Sequence, residues 1–193
     1  MFLLDSSGSE GSANFATQLE FVGNFSSRFF IGPNAVQIGL TTFANHPQNQ
    51  FWLNTYSNLT DIINALQNVP FSQGGTNTAE ALSFARNNSF TKAHGSRDGV
   101  PKVLVVLTDG QSQSPIETQL QANKIHQTDI KVISIGIGSS VVKDELNTIA
   151  TDRGHVFTVA NFNALKDIAV ELEKQTCKGI LIHDTNSLKI SKR

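Results

Sequence analysis

The chain has 193 residues, 39% of them apolar, with 15 Lys plus Arg against 16 Asp plus Glu. This is enough material for one globular domain with a full core. It carries neither the basic, aromatic-studded stripe of a nucleic-acid binder nor an apolar run long enough to span a bilayer, and its excess of positive charge is confined to residues 178–193, where Lys178, Lys189, Lys192 and Arg193 outnumber Asp184.

In chain order, strand and helix patterns alternate. Residues 1–5 read as a short strand. Its acidic turn begins at Asp5, which leaves no room for a signal peptide, so the chain reads as one that starts inside its first strand, with that strand truncated. Ala13 to Phe30 reads as a helix with Phe15, Leu19, Val22 and Phe29 on one face. Gly32-Pro33-Asn34 breaks it before a strand at Val36 to Phe43. His46-Pro47 turns into a strand near Gln50 to Asn54, and so short a connection predicts an antiparallel hairpin. A helix follows at Leu59 to Val69.

Asn77 and Glu80 have N-cap and N3 spacing for a helix through about Asn87. Lys102 to Leu107 is apolar after its first residue, the pattern of a central strand buried on both faces. Ser114-Pro115-Ile116-Glu117 predicts a helix start with Ser as cap and Pro at the first position, running to about Gln127. Then come a strand at Lys131 to Ile137, a helix near Val142 to Thr151, a strand at His155 to Val159 and a helix from Asn163 to Thr176. This alternation predicts a doubly wound α/β fold, a mostly parallel sheet with helices on both faces. Residues 178–193 have no place in that scheme and read as a linker or the start of a further segment.

The chemistry-bearing residues fall at strand ends. Asp5-Ser6-Ser7-Gly8-Ser9 follows the first strand, Asp109 follows Val103 to Leu107, and the oxygen-rich turn Gly74-Gly75-Thr76-Asn77-Thr78 lies between them. Strand ends are the edge at which open α/β sheets build their sites. Asp5, Ser7 and Ser9 alternate along an extended turn and can converge on one point. Two carboxylates roughly 5 Å apart repel by about 3 kcal/mol at an effective dielectric of about 20, and a divalent ion reverses that sign. Oxygen ligands without His or Cys suit Mg²⁺ or Mn²⁺ better than zinc or copper. Asp5 to Ser9 taken alone also describes a capped turn; its joint occurrence with the other two segments favours the ion.

Other signals point to less. Gly136-Ile137-Gly138 has Val141 where a dinucleotide fingerprint needs its third glycine. There is no phosphate-binding G-x-x-x-x-G-K-[ST] loop. The five histidines have no metal-ligand spacing, and Trp52 reads as core. Cys177, alone in the chain, is either a free thiol or half of a disulfide to a cysteine outside this segment. Asn24, Asn58 and Asn87 head permissive N-glycosylation sequons.

The three-part pattern resembles the metal-ion-dependent adhesion site of von Willebrand factor type A domains: D-x-S-x-S at Asp5, Ser7 and Ser9, the Thr of a G-x-T-x-T turn at Thr76, and the Asp of T-D-G at Asp109. The resemblance covers about residues 1–177. It implies a six-stranded sheet of order 3-2-1-4-5-6 with one antiparallel edge strand, serines that touch the ion directly, and aspartates acting partly through water. Gly95 to Lys102 and His155 to Val159 resemble the matrilin and collagen type A modules of the extracellular matrix, which often carry a cysteine after the last helix, where Cys177 stands. The resemblance thus implies a secreted, non-enzymatic adhesion module of the extracellular matrix, capturing an Asp or Glu carboxylate of a matrix protein through Mg²⁺ or Mn²⁺. Two alternatives stand beside it: a metal-independent assembly module that self-associates in a matrix polymer, and an intracellular scaffold domain.

Overall fold

In the computed structural model, residues 1–177 are described; the segment 178–193, expected as a linker, lies outside them. Six strands form one sheet in the order β3-β2-β1-β4-β5-β6: β1 (Phe2–Asp5), β2 (Leu40–Phe43), β3 (Pro47–Phe51), β4 (Lys102–Thr108), β5 (Ile130–Ile137) and β6 (Val156–Val159). All neighbours are parallel except β2 and β3, which form the antiparallel hairpin. The helices are α1 (Gly11–Ser26), α2 (Leu59–Leu66), α3 (Thr78–Phe84), α4 (Pro115–His126), α5 (Lys143–Ile149) and α6 (Ala169–Cys177).

Successive residues of a strand point to opposite faces, and in the central strands both faces are dry. Phe2 and Leu4, Val105 and Leu107, and Ile133, Ile135 and Ile137 pack under Phe15, Val22 and Phe25 of α1, Ile62 and Leu66 of α2, and Leu172 of α6. Leu3, Leu104, Val106 and Val132 face the other way, against Ala81 and Leu82 of α3, Ala122 and Ile125 of α4 and Ile149 of α5. This double burial explains why the central strands read as unbroken apolar runs.

Several element boundaries differ from the sequence reading. Helix α1 stops at Ser26 rather than Phe30: the Ser26 and Ser27 hydroxyls bond Val22 O and Asn24 O, and the Arg28 and Phe29 amides close tighter three-residue turns, as serines that compete for backbone groups do. Val36 forms an isolated bridge with Ile31, so β2 begins only at Leu40. β3 starts earlier than expected, and an irregularity in pairing between Leu40 and Thr41 puts Phe51 and Asn49 opposite consecutive residues, the pattern of a bulge. The last helix is split into a 3₁₀ segment, Phe162–Ile168, capped by the Asn161 side chain, and α6. Ser114 makes no side-chain cap.

Topology positions the site. β1 and β4 are adjacent, but α1 leaves β1 toward one face while α4 leaves β4 toward the other. Their carboxyl ends therefore flank the crevice at which such sheets reverse their winding.

Candidate metal centre

Asp5 ends β1 and is fully buried. Its Oδ1 accepts the Ser7 backbone N–H at 2.9 Å, and its Oδ2 accepts the Thr108 hydroxyl, from the end of β4, at 2.7 Å. Burial pushes its pKa up to about 6, while the Thr108 and Ser7 bonds pull the other way. Ser9 donates its hydroxyl to Asp109 Oδ1 at 2.9 Å, and the Ser7 and Ser9 oxygens are 3.0 Å apart. Since Ser9 commits its one proton to Asp109, Ser7 donates to Ser9. Residues 5–9 and Asp109 are thus joined across 100 positions of sequence. Partial burial raises the Asp109 pKa, opposed by the bond from Ser9.

The Thr76 turn is tied to the same place by its backbone. Gly8 N–H donates to Gly74 O at 2.9 Å, and Gln113 N–H, four residues past Asp109, donates to Thr76 O at 2.9 Å. Asn45, in the β2–β3 hairpin, accepts Gly75 N–H at 2.8 Å, and Ala44 O accepts Asn77 N–H at 2.9 Å. Gly74 has φ +103°, and a Cβ there would also meet the Asn45 amide at 2.8 Å, so this turn position favours glycine. Thr76 itself is 9% exposed. All five residues of the expected set therefore lie in three segments that the structure brings together.

One member of the cluster lies beyond the D-x-S-x-S pattern. Glu10, between Ser9 and α1, is 2% exposed, and one of its oxygens lies within 4.8 Å of carboxylate oxygens of both Asp5 and Asp109. Burial, then the charges of Asp5 and Asp109, push its pKa up to about 10; a bond from the Gln18 amide opposes them. The available signal was Gln18, a polar residue on the apolar face of α1 between Phe15 and Val22, whose burial requires a polar partner.

The donor set fits a hard divalent cation. Carboxylates and hydroxyls converge, and among the described residues no basic side chain pairs with Asp5, Glu10 or Asp109. Each pair of ionised carboxylates at this separation repels by about 3 kcal/mol at an effective dielectric of about 20.

The other expected sites lie apart. Asn24 is exposed on α1; Asn58 caps α2 by accepting Asp61 N–H at 2.9 Å; Asn87 is exposed in a π-helical turn, Ala85–Ser89. Cys177 is the last residue of α6, and its side chain lies outside the description.

Comparison with known proteins agrees with this geometry. The family model of the von Willebrand factor type A domain matches residues 1–171. The chain belongs to that family. This type A domain is 34% identical over 93% of its length to the mouse collagen alpha-5(VI) chain, and 32% identical over 92% to human matrilin-1. It spans 7% of the first and 36% of the second. These relatives are secreted extracellular-matrix proteins, and among the described residues no helix is long and apolar enough to cross a membrane.

Among solved structures, the domain resembles mussel byssus proximal thread matrix protein 1 with a zinc-occupied adhesion-site motif. The TM-score is 0.84 at 30% identity, covering 91% of this chain and 44% of that one. Manganese-loaded TRAP protein of Plasmodium vivax shares the fold, with a TM-score of 0.71 at 19% identity, over 86% of this chain and 70% of that one.

Proposed function

We propose that this domain is a non-catalytic adhesion module of the extracellular matrix. Ser7, Ser9 and Thr76 would hold Mg²⁺ or Mn²⁺, with Asp5 and Asp109 behind them. The observation that carries this reading is the convergence of three distant segments: Ser9 donates to Asp109 at 2.9 Å, Gly8 N–H to Gly74 O at 2.9 Å, and Gln113 N–H to Thr76 O at 2.9 Å. Hydroxyls fill ligand positions without cancelling charge, so the ion keeps its pull on an incoming carboxylate. The partner would be a matrix protein presenting Asp or Glu.

Titration calorimetry with Mg²⁺ and Mn²⁺ tests the first half. Saturable binding that Asp109→Ala weakens at least about tenfold supports the site; no binding, or the same binding in the variant, rejects it.

Metal-independent assembly keeps one specific observation in its favour. A groove of about 470 Å³ between α1 and α2 is lined by Phe15, Leu19, Leu66, Val69 and Phe71. Self-association that persists in EDTA, followed by sedimentation velocity, would favour that second reading.

A further inference from the structure

Glu10 stands out among the buried polar groups of this domain. Its Oε2 accepts the Gln18 amide, which also donates to Asp5 O at 3.1 Å, while its Oε1 is buried with no partner. The charged groups that act on it, Asp5 and Asp109, are both acids. A buried carboxylate is costly unless it is paired or binds a metal. A structural brace between the β1 turn and α1 requires only one acceptor for Gln18, which a glutamine at position 10 would supply without a third acid in the cluster.

We propose that Glu10 supplies a third carboxylate to the divalent ion, entering from the buried side while Ser9 and Asp109 face the surface. Gln18 is its positioning residue: by holding Oε2 it leaves Oε1 for the ion. The proposal rests on the ion-site reading above and extends it beyond the five residues of the motif. One oxygen of Glu10 lies within 4.8 Å of carboxylate oxygens of both Asp5 and Asp109, so the three acids border one small space that an ion with bonds of about 2.1 Å would draw together. The consequence is retention. With three acids around a doubly charged ion, the chain itself holds the metal, and the ion's pull on a partner's carboxylate is weaker than Asp5 and Asp109 alone would leave it.

The test uses the full chain and Mn²⁺ calorimetry, comparing wild type with Glu10→Gln, which keeps the shape and the bond to Gln18. Circular dichroism verifies the fold. The expected result is a Kd raised about 10–100-fold in the variant. An unchanged Kd, within about twofold, in a folded variant overturns the role of Glu10 and leaves the ion site standing; absence of Mn²⁺ binding in the wild type overturns both. A second measurement needs no variant: in protein labelled with ¹³C at glutamate carboxyls, Mg²⁺ should shift one buried Glu resonance. If none moves while Mg²⁺ binds, the proposal fails.

Discussion

Two strands of this sheet run into paired serines. β1 ends in Asp5-Ser6-Ser7, and β5 runs into Gly138-Ser139-Ser140. At β1 the serines are buried, at 0% and 1% exposure, and Ser7 joins the chain of bonds that reaches Asp109 through Ser9. At β5 both serines are exposed. The contrast arises from topology. α4 and α5 pack on the same face of the sheet, so no crevice opens between β4 and β5. α5 also settles directly on β5: a Cβ at Gly136 would lie 2.4 Å from Leu146 Cδ1. Hydroxyls at a strand end therefore make a site only where the winding reverses and an acid from the neighbouring strand faces them.

The sharpest way to break this comparison is to delete hydroxyls at both ends. Ser7→Ala with Ser9→Ala should weaken Mn²⁺ binding about 10–100-fold, because it removes two oxygens from the ion's surroundings. Ser139→Ala with Ser140→Ala should leave the Kd within about twofold. Calorimetry on the two double variants reads the difference directly, and equal losses would show that the crevice is not what selects the ion.

A second contrast is with the acid level of the ion-free protein. A carboxyl whose pKa is higher in the folded than in the unfolded chain holds its proton more tightly when folded. Its contribution to stability is full below the unfolded pKa and is lost as pH rises toward the folded value. For Asp5 that window runs from 3.8 to about 6, and for Glu10 from 4.5 to about 10. In EDTA, unfolding free energy should therefore decline through these windows on account of the β1 end. Glu10→Gln should remove part of the decline and gain about 1–2 kcal/mol over wild type at pH 8. Saturating Mg²⁺ should reverse that ranking, since the ion stabilises whichever folded form binds it better. Urea melts at pH 5 and pH 8, with and without Mg²⁺, read all of these. No β5 residue should show such a dependence, because its turn carries no acid.

The legible parts were those where one physical requirement dominates a stretch of chain. Lys102–Thr108 had to be a central strand because its run of apolar residues is dry on both faces, and Asp5, Thr76 and Asp109 marked the crevice because they follow strands or a tight turn. Glu10 was hidden because its meaning lies in Gln18, eight residues on, and in two acids from other segments. Trp52, expected in the core, is only half-buried and stacks on His94, centroids 3.7 Å apart and 3° from parallel. That contact links the end of β3 to a distant loop, and no local pattern encodes it. Helix ends were misplaced wherever serine hydroxyls competed for the backbone, as at Ser26 and Ser27.

The smallest expected effect separates two helix starts that look alike in sequence. Asn77 caps α3: it accepts Glu80 N–H at 3.2 Å and donates to Asn45 O at 3.0 Å, while Glu80 returns to the Asn77 amide rather than to its backbone N–H. That backbone group already bonds Ala44 O, so half of the expected capping box is redirected to hold the Thr76 turn against the hairpin. Ser114, at φ −137° and ψ 83°, makes no side-chain cap, and Pro115 fills the first helical position, where no N–H needs a partner. Asn77→Ala should cost about 1 kcal/mol, whereas Ser114→Ala should stay within about 0.5 kcal/mol of wild type. Both are to be measured in EDTA, because Asn77 adjoins Thr76 and ion binding would otherwise add to its effect. A cost at Ser114 equal to that at Asn77 would mean that its hydroxyl caps α4 in solution.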